Sequence, residues 1–169
     1  MAHPYPPHWI EFPYVGRHYY SLTYPTDNRR TLFVDRETVD RAWTQILRGA
    51  REKSFGITAY CFMPDHLHLI VHGITDQSDC KAFIKSAKQY CGYYHSRATG
   101  GARLLGRYGE DRVIRDEHEL AMTVRYVVAN PVRAGLVRHP RDYPFLGSQE
   151  YTVEELLKWC EYTDDVALN

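Results

Sequence analysis

The chain has 169 residues, of which 44% are hydrophobic and 25% charged, a composition typical of a globular domain with a buried core. No run approaches the roughly 18 to 20 apolar residues of a membrane span, and the N-terminus lacks the apolar run of a signal peptide, which favours a cytoplasmic location. The four cysteines form no C-x-x-C pair, which argues against a thiolate zinc site.

The charges are unevenly distributed along the chain, although the formal net charge is zero. Residues 81–115 are rich in lysine and arginine, whereas the segment 149–169 is strongly acidic. A basic segment is what phosphate binding requires. A solvated helix face followed by an acidic tail explains the same pattern equally well. If the segment binds DNA, the candidate contacts are Lys81, Lys85, Lys88, Arg112 and Arg115.

The first half of the chain predicts one strand and one helix before a central hairpin. Residues 1–16 are rich in proline and aromatic residues and indicate an extended arm. Alternation over residues 18–24 predicts the first strand, and apolar residues at helical spacing predict a helix over residues 35–54. The segments 57–63 and 66–72 predict two antiparallel strands joined by a tight turn.

The second half of the chain predicts two further helices and a short strand. We expect a helix over residues 76–96, a strand over residues 112–115 and a helix over residues 116–129, which Asn130-Pro131 ends. Interspersed strands and helices, without repeats or low-complexity linkers, predict one small α+β domain over residues 1–169. In it, helices pack on an antiparallel sheet.

The sharpest motif is His66-Leu67-His68 at the start of the third predicted strand. Residues two apart in a strand point to the same face, so the two imidazoles project together while Leu67 points to the core. Such a pair can bind one metal ion, or it can be two histidines on a solvated strand. His72 shares this face, but so does Ile70, and we therefore expect His72 not to be a ligand.

The third predicted helix carries Tyr126 and Asn130 four residues apart, on one stripe beside its apolar face. A tyrosine hydroxyl is a possible nucleophile, and a carboxamide oxygen is a possible ligand for a hard divalent cation. A half-buried tyrosine and a helix-ending asparagine are the plainer interpretation, and spacing alone favours it.

Two blocks, MPDHLHLIV at 63–71 and YVVANPVRAGLV at 126–137, together resemble the REP-associated tyrosine transposases. These are single-tyrosine members of the HUH single-strand nucleases, in the insertion-sequence transposase superfamily. The segment HYYSLTYPTDNRRTLF at 18–33 also resembles the family, and the likeness covers roughly residues 14–146. The resemblance implies a ferredoxin-like antiparallel sheet with helices packed on one face.

The resemblance also implies a role for each motif residue. His66, His68 and Asn130 would hold Mg²⁺ or Mn²⁺, and Tyr126 would attack the scissile phosphate to give a 5′-phosphotyrosine and a 3′-hydroxyl. The chain would then cleave and rejoin single-stranded DNA in hairpins of repetitive extragenic palindromes, as a monomer or homodimer associated with the nucleoid.

Several alternatives stay open at this point. Tyr90 and Tyr94 form a Y-x-x-x-Y pair on the second predicted helix and are rival nucleophiles. The chain could be a non-catalytic DNA-binding module derived from a transposase. A histidine-triad nucleotide hydrolase is a third interpretation, but it needs a histidine where Ile70 stands. We also expect the acidic segment 149–169 to lie near a basic groove as an internal competitor of DNA.

Overall fold

The computed structural model describes residues 12–165. These residues form five strands and four helices. The strands are β1 (Tyr19–Pro25), β2 (Phe55–Met63), β3 (His66–Gly73), β4 (Glu110–Ile114) and β5 (Leu146–Gly147). The helices are α1 (Arg36–Lys53), α2 (Cys80–Thr99), α3 (Glu117–Arg133) and α4 (Val153–Trp159). No helix in this part of the chain is long and apolar enough to cross a membrane.

All strands join one antiparallel sheet in the order β4-β1-β3-β2-β5. The predicted central hairpin is confirmed: β2 and β3 pair from Met63 opposite His66, and a two-residue turn joins them. The first strand lies between β3 and β4, so that Thr23 is opposite both His68 and Glu110. The α+β class with an antiparallel sheet is therefore confirmed.

One face of the sheet is covered by α1 and α2 over an apolar core. Alternate residues of β1 and β3 point to this face and are buried in it with large aromatic side chains. Burial of each large apolar side chain contributes about 1.5–3 kcal/mol. The core includes Leu22, Leu67, Leu69, Val71, Phe33, Phe62 and Phe83.

The opposite face is covered by α3 and α4. Its core joins Cys61 and Ile70 of the sheet to Val124 of α3 and Leu156 of α4. The expectation of helices on one face holds for α1 and α2, while α3 and α4 add a second layer. The physical reason is that β2 and the middle of β3 are apolar on both sides and need cover on both.

The third helix is longer than predicted, because it continues through Pro131 to Arg133. A proline this close to a C-terminus removes only one hydrogen bond of the last turns. The ladder resumes after it, with Ala134 N donating to Asn130 O at 2.9 Å. The residue that ends the helix is Gly135, whose φ of 70° is left-handed. Asn130-Pro131 as the helix end was therefore wrong.

The beginnings of the helices follow side-chain caps. Asp35 accepts from Thr38 N at 2.8 Å and begins α1 as predicted. Asp79 accepts from Ala82 N at 2.9 Å, so that α2 begins later than the predicted residue 76. Of the predicted N-terminal arm, residues 1–11 lie outside the described residues, and Tyr14 stacks on Tyr20 with ring centroids 5.5 Å apart.

Candidate active site

The histidine pair lies at the start of β3, on the face covered by α3. The Nε2 atoms of His66 and His68 are 3.0 Å apart. Each ring is held through its other nitrogen, since His66 Nδ1 contacts Asp65 Oδ1 at 2.6 Å and His68 Nδ1 contacts Thr23 Oγ1 at 3.1 Å. A carboxylate can only accept, so His66 donates from Nδ1, and its Nε2 faces His68. This is how proteins orient metal-binding histidines.

The protonation of His68 also suits metal binding. His68 is only 6% exposed. Burial, and then the neighbouring His66, lower the pKa of His68 from 6.5 to about 4. The ring is therefore neutral at physiological pH, which is the form of imidazole that binds metals. The two Nε2 atoms, 3.0 Å apart, are close enough that they could bind one divalent cation together.

Tyr126 lies across the pocket from the histidines. Its ring centroid is 5.8 Å from that of His68, and the side chain is 49% exposed. The guanidinium carbon of Arg133 lies 5.4 Å from the centre of the tyrosine ring. The pocket between them has a volume of about 530 Å³. The other side chains that line it are Ser21, Thr23, Arg29, Glu110, Arg112, Glu119, Met122 and Thr123.

Asn130 lies one turn beyond Tyr126, and its side chain contacts the backbone of α3. Its Nδ2 donates to the carbonyl oxygen of Tyr126 at 2.8 Å, and it does not line the pocket. The structure therefore brings His66, His68 and Tyr126 together but holds the Asn130 carboxamide against its own helix. Within residues 12–165, no three His, Cys, Asp or Glu residues gather as a metal site. A third ligand at Asn130 stays a prediction.

The sequence analysis did not single out Glu119, which lines this pocket. Its carboxylate forms an ion pair with Arg112 and accepts from Arg115 N at 2.9 Å. Asp116 accepts from Glu119 N at 2.8 Å and so caps the start of α3. Glu119, Thr123 and Tyr126 follow one helical stripe, which was the available signal. No local signal marked Thr23, because its partner lies 45 residues away.

The five predicted DNA-binding residues fall into two groups. Arg112 lines the histidine pocket, and Arg115 lines a neighbouring cleft. Lys81, Lys85 and Lys88 lie on α2, which packs on the opposite face of the sheet.

The lysines of α2 differ in how they are engaged. Lys81 contacts Asp111 Oδ2 at 2.5 Å, and Lys88 donates to Arg107 O at 3.1 Å. Lys85 is exposed. The lysines therefore follow one helix behind the sheet, whereas Arg112 and Arg115 line pockets on its other face.

The rival tyrosines lie on α2 as well. The Tyr90 hydroxyl donates to Glu52 Oε2 at 2.6 Å, and the Arg48 guanidinium carbon lies 4.1 Å from the centre of its ring. Tyr94 is exposed and contacts Tyr93 edge to face. The sheet separates α2 from the histidine pocket, so the geometry favours Tyr126 as the residue that shares a pocket with the histidines.

The acidic C-terminal segment is built into the second face. Glu150 Oε1 contacts His72 Nε2 at 3.2 Å, and Gln149 N donates to Ile57 O at 3.1 Å. Farther on, Arg125 Nε donates to Cys160 O at 2.7 Å, which ties the end of α4 to α3. The segment does not line the histidine pocket. His72 thus contacts this segment and does not line the histidine pocket.

Comparison with known proteins places these features in a family. The sequence profile of the family described as "Transposase IS200 like" matches residues 14–102, more than half of the chain. A Haemophilus influenzae protein assigned as a REP-associated tyrosine transposase is 27% identical over 110 residues. The match covers 54% of this chain and 57% of that relative, so the chain spans less than two thirds of the relative's length.

Solved structures show the same fold. The structure of a REP-associated tyrosine transposase bound to a REP hairpin has a TM-score of 0.71 at 22% identity, and the match covers 90% of this chain and 86% of that one. A crystal structure assigned as a transposase from Deinococcus radiodurans has a TM-score of 0.52 at 24% identity, over 68% and 91% of the two chains. The resemblance read from the sequence motifs is confirmed, and the chain belongs to the IS200-like transposase family.

Proposed function

We propose that the chain is a metal-dependent endonuclease and transposase that cleaves and rejoins single-stranded DNA through Tyr126. The observation that carries this proposal is the shared pocket of His66, His68 and Tyr126. Membership of a transposase family supports it, because a transposase must break and re-form phosphodiester bonds.

In the proposed reaction the Tyr126 oxygen attacks the scissile phosphorus. The new O–P bond forms as the bond from phosphorus to the 3′ oxygen breaks, which leaves a 5′-phosphotyrosine and a 3′-hydroxyl. The tyrosine proton passes to solvent, which reaches the half-exposed side chain, and the departing 3′ oxygen takes up a proton. Rejoining is the reverse attack by a 3′-hydroxyl, and the covalent link conserves the energy of the bond.

The residues that would hold Mg²⁺ or Mn²⁺ are His66 and His68, with Asn130 as a third ligand after its side chain turns from the helix. A bound divalent ion supplies polarisation of the phosphate oxygens and stabilises the charge that develops on them. Thr23 and Asp65 would keep both imidazoles turned with Nε2 towards the pocket. This orientation fixes where the scissile phosphate sits relative to Tyr126.

We propose a DNA hairpin of the REP type as the substrate. The support is the fold shared with a transposase that was solved with a REP hairpin. Arg112 and Arg115 would contact phosphates near the pocket, and the α2 lysines Lys81, Lys85 and Lys88 would contact a more distant part of the DNA. A monomer or a homodimer is compatible with this assignment.

The histidine-triad hydrolase loses support, because Ile70 is fully buried where that chemistry needs a third histidine. A non-catalytic DNA-binding module would have no need for a tyrosine and two oriented imidazoles in one pocket.

The test is the covalent adduct itself. Wild-type protein incubated with Mn²⁺ and single-stranded hairpins is expected to give a protein–DNA band on a denaturing gel. Tyr126→Phe should abolish that band completely, because it removes the attacking oxygen. Tyr94→Phe is the matched control on α2 and should leave the band unchanged. An adduct that persists in Tyr126→Phe would refute the assignment.

A further inference from the structure

Arg29 lines the histidine pocket and has no part in the reaction proposed above. Of the described residues that line this pocket, two carry a guanidinium, Arg29 and Arg112. Arg112 forms an ion pair with Glu119 and donates to Thr123 Oγ1 at 3.4 Å, so its charge is already balanced. Arg29 has a looser contact, with Asp65 Oδ2 at 3.9 Å, and its side chain is 66% exposed. A solvated contact of this length contributes little and can open for another anion.

The turn that carries Arg29 is joined to the turn that precedes the histidine pair. The backbone N of the buried Thr26 donates to Asp65 O at 2.9 Å, and the Thr26 hydroxyl lies 3.0 Å from the same oxygen. The side chain of Asp65 makes a second connection, since Oδ1 contacts His66 Nδ1 at 2.6 Å while Oδ2 faces Arg29. The guanidinium therefore lies on the histidine side of the pocket.

The backbone at Arg29 has a conformation that arginine rarely adopts. The angle φ is 53° at Asn28 and 54° at Arg29, and both values are left-handed. Asparagine tolerates this region, whereas an arginine gains nothing from it. Strained backbone of this kind persists where the surrounding structure holds it, and it is concentrated at functional sites. Asparagine or glycine would suit the turn better, so the turn alone does not account for an arginine here.

The charges around the pocket indicate what the guanidinium can do. Glu110 of β4 lines the pocket as an exposed carboxylate, and Asp65 adds a second one beside the histidines. Without Arg29, these two carboxylates would repel a phosphodiester at the histidine side. A planar guanidinium can instead donate two parallel hydrogen bonds to phosphate oxygens. Donors of this kind lower a reaction barrier where they meet charge that grows in the transition state.

We propose that Arg29 is a catalytic residue, which contacts the non-bridging oxygens of the scissile phosphate and stabilises the charge that develops on them as Tyr126 attacks. This inference rests on the proposed function and adds a residue to it. Asp65 keeps the guanidinium beside the pocket in the free protein, and the long, solvated contact allows a phosphate to draw it away.

The experiment measures rate and affinity separately, with the DNA hairpin that gives the strongest adduct with wild-type protein. Arg29→Asn removes the charge and suits the left-handed backbone. With Mn²⁺ and saturating hairpin, adduct formation should slow about a hundred- to a thousandfold. In the Tyr126→Phe background, fluorescence anisotropy should show that Arg29→Asn changes the Kd of the hairpin about threefold or less, because the contact strengthens in the transition state.

Two further variants separate the charge from a loss of structure. Arg29→Lys keeps the charge without the planar fork and should recover part of the rate that Arg29→Asn loses. Arg36→Asn is the matched control, because Arg36 is also 66% exposed and 3.9 Å from a carboxylate, that of Asp40, but lies on α1 outside the pocket. It should react at the wild-type rate. Thermal unfolding midpoints of all three variants should stay within about 2 °C of wild type.

Two results for Arg29→Asn would overturn the role of Arg29 and leave the proposed function standing: an unchanged rate of adduct formation, or a loss of affinity as large as the loss of rate. An Arg29→Lys protein as slow as Arg29→Asn, or an equal loss in Arg36→Asn, would overturn it as well. Failure of the wild-type protein to form an adduct with any hairpin would overturn both the role of Arg29 and the proposed function.

Discussion

The two faces of the sheet differ in chemistry although the same strands build them. The face under α1 and α2 is closed by apolar and aromatic side chains, including Leu67 and Leu69. The face under α3 and α4 has a core only around its middle, where Ile70 packs. Beside this core lie the histidine pocket and the neighbouring cleft that Arg115 lines.

Strand β3 shows the difference residue by residue. Leu67 is 1% exposed and packs in the first core, whereas His66 and His68, its two neighbours, point into the histidine pocket. Packing on the apolar face thus fixes the position of the strand, and this keeps the two imidazoles directed into the pocket. Substitutions on the two faces should therefore separate stability from chemistry.

The largest expected effect is on the apolar face. Leu67→Ala should lower the free energy of unfolding by about 2–5 kcal/mol, because it leaves a cavity in a well-packed core. Chemical denaturation monitored by circular dichroism measures this change. Val34→Ala removes an aliphatic side chain that is 60% exposed and is the control, with an expected change within about 0.5 kcal/mol. Similar losses of unfolding free energy in Leu67→Ala and Val34→Ala would contradict the view that the apolar face stabilises the strand.

His66, which precedes Leu67 in β3, should affect adduct formation strongly and stability little when it is replaced. His66→Ala should slow adduct formation with Mn²⁺ at least about a hundredfold, because a lost metal ligand removes several kcal/mol of charge stabilisation. Its stability should change far less than that of Leu67→Ala, since His66 is only part-buried. His118→Ala, at an exposed position of α3, is the control for the rate. Unchanged adduct formation in His66→Ala would remove the basis for a metal at this pair.

The smallest expected effect concerns His95, a buried histidine of α2. His95 is 5% exposed, and burial, followed by the nearby Arg41 and Arg30, lowers its pKa below 6.5. The His95 side chain is therefore protonated more readily in the unfolded chain than in the folded one as the pH falls. This contribution to stability is present above about pH 6.5 and is lost as the pH falls below it.

Urea denaturation at pH 7.5 and pH 5 tests the His95 effect. Wild-type protein should lose more stability between the two values than His95→Gln does, while His118→Gln should behave as wild type. An identical pH dependence in His95→Gln and wild type would show that this histidine does not contribute.

Local patterns predicted the central hairpin and the common face of His66 and His68, because each depends on neighbours a few residues apart. The contact of Thr23 with His68 depends on strand pairing across 45 residues, which no local pattern encodes. The same holds for α4. Its acids suggested a solvated tail, but Leu156 and Cys160 between them are buried against α3.

The position of β1 in the sheet has a consequence for the order of folding. The β2–β3 hairpin closes through a two-residue turn and can form early, whereas β1 must wait for partners on β3 and β4 that are distant along the chain. His66 and His68 should therefore come together when the hairpin forms, before Thr23 and Tyr126 take their places beside them. Recovery of adduct formation after dilution from denaturant would then report the last long-range contacts to form, and it should lag behind the recovery of the hairpin.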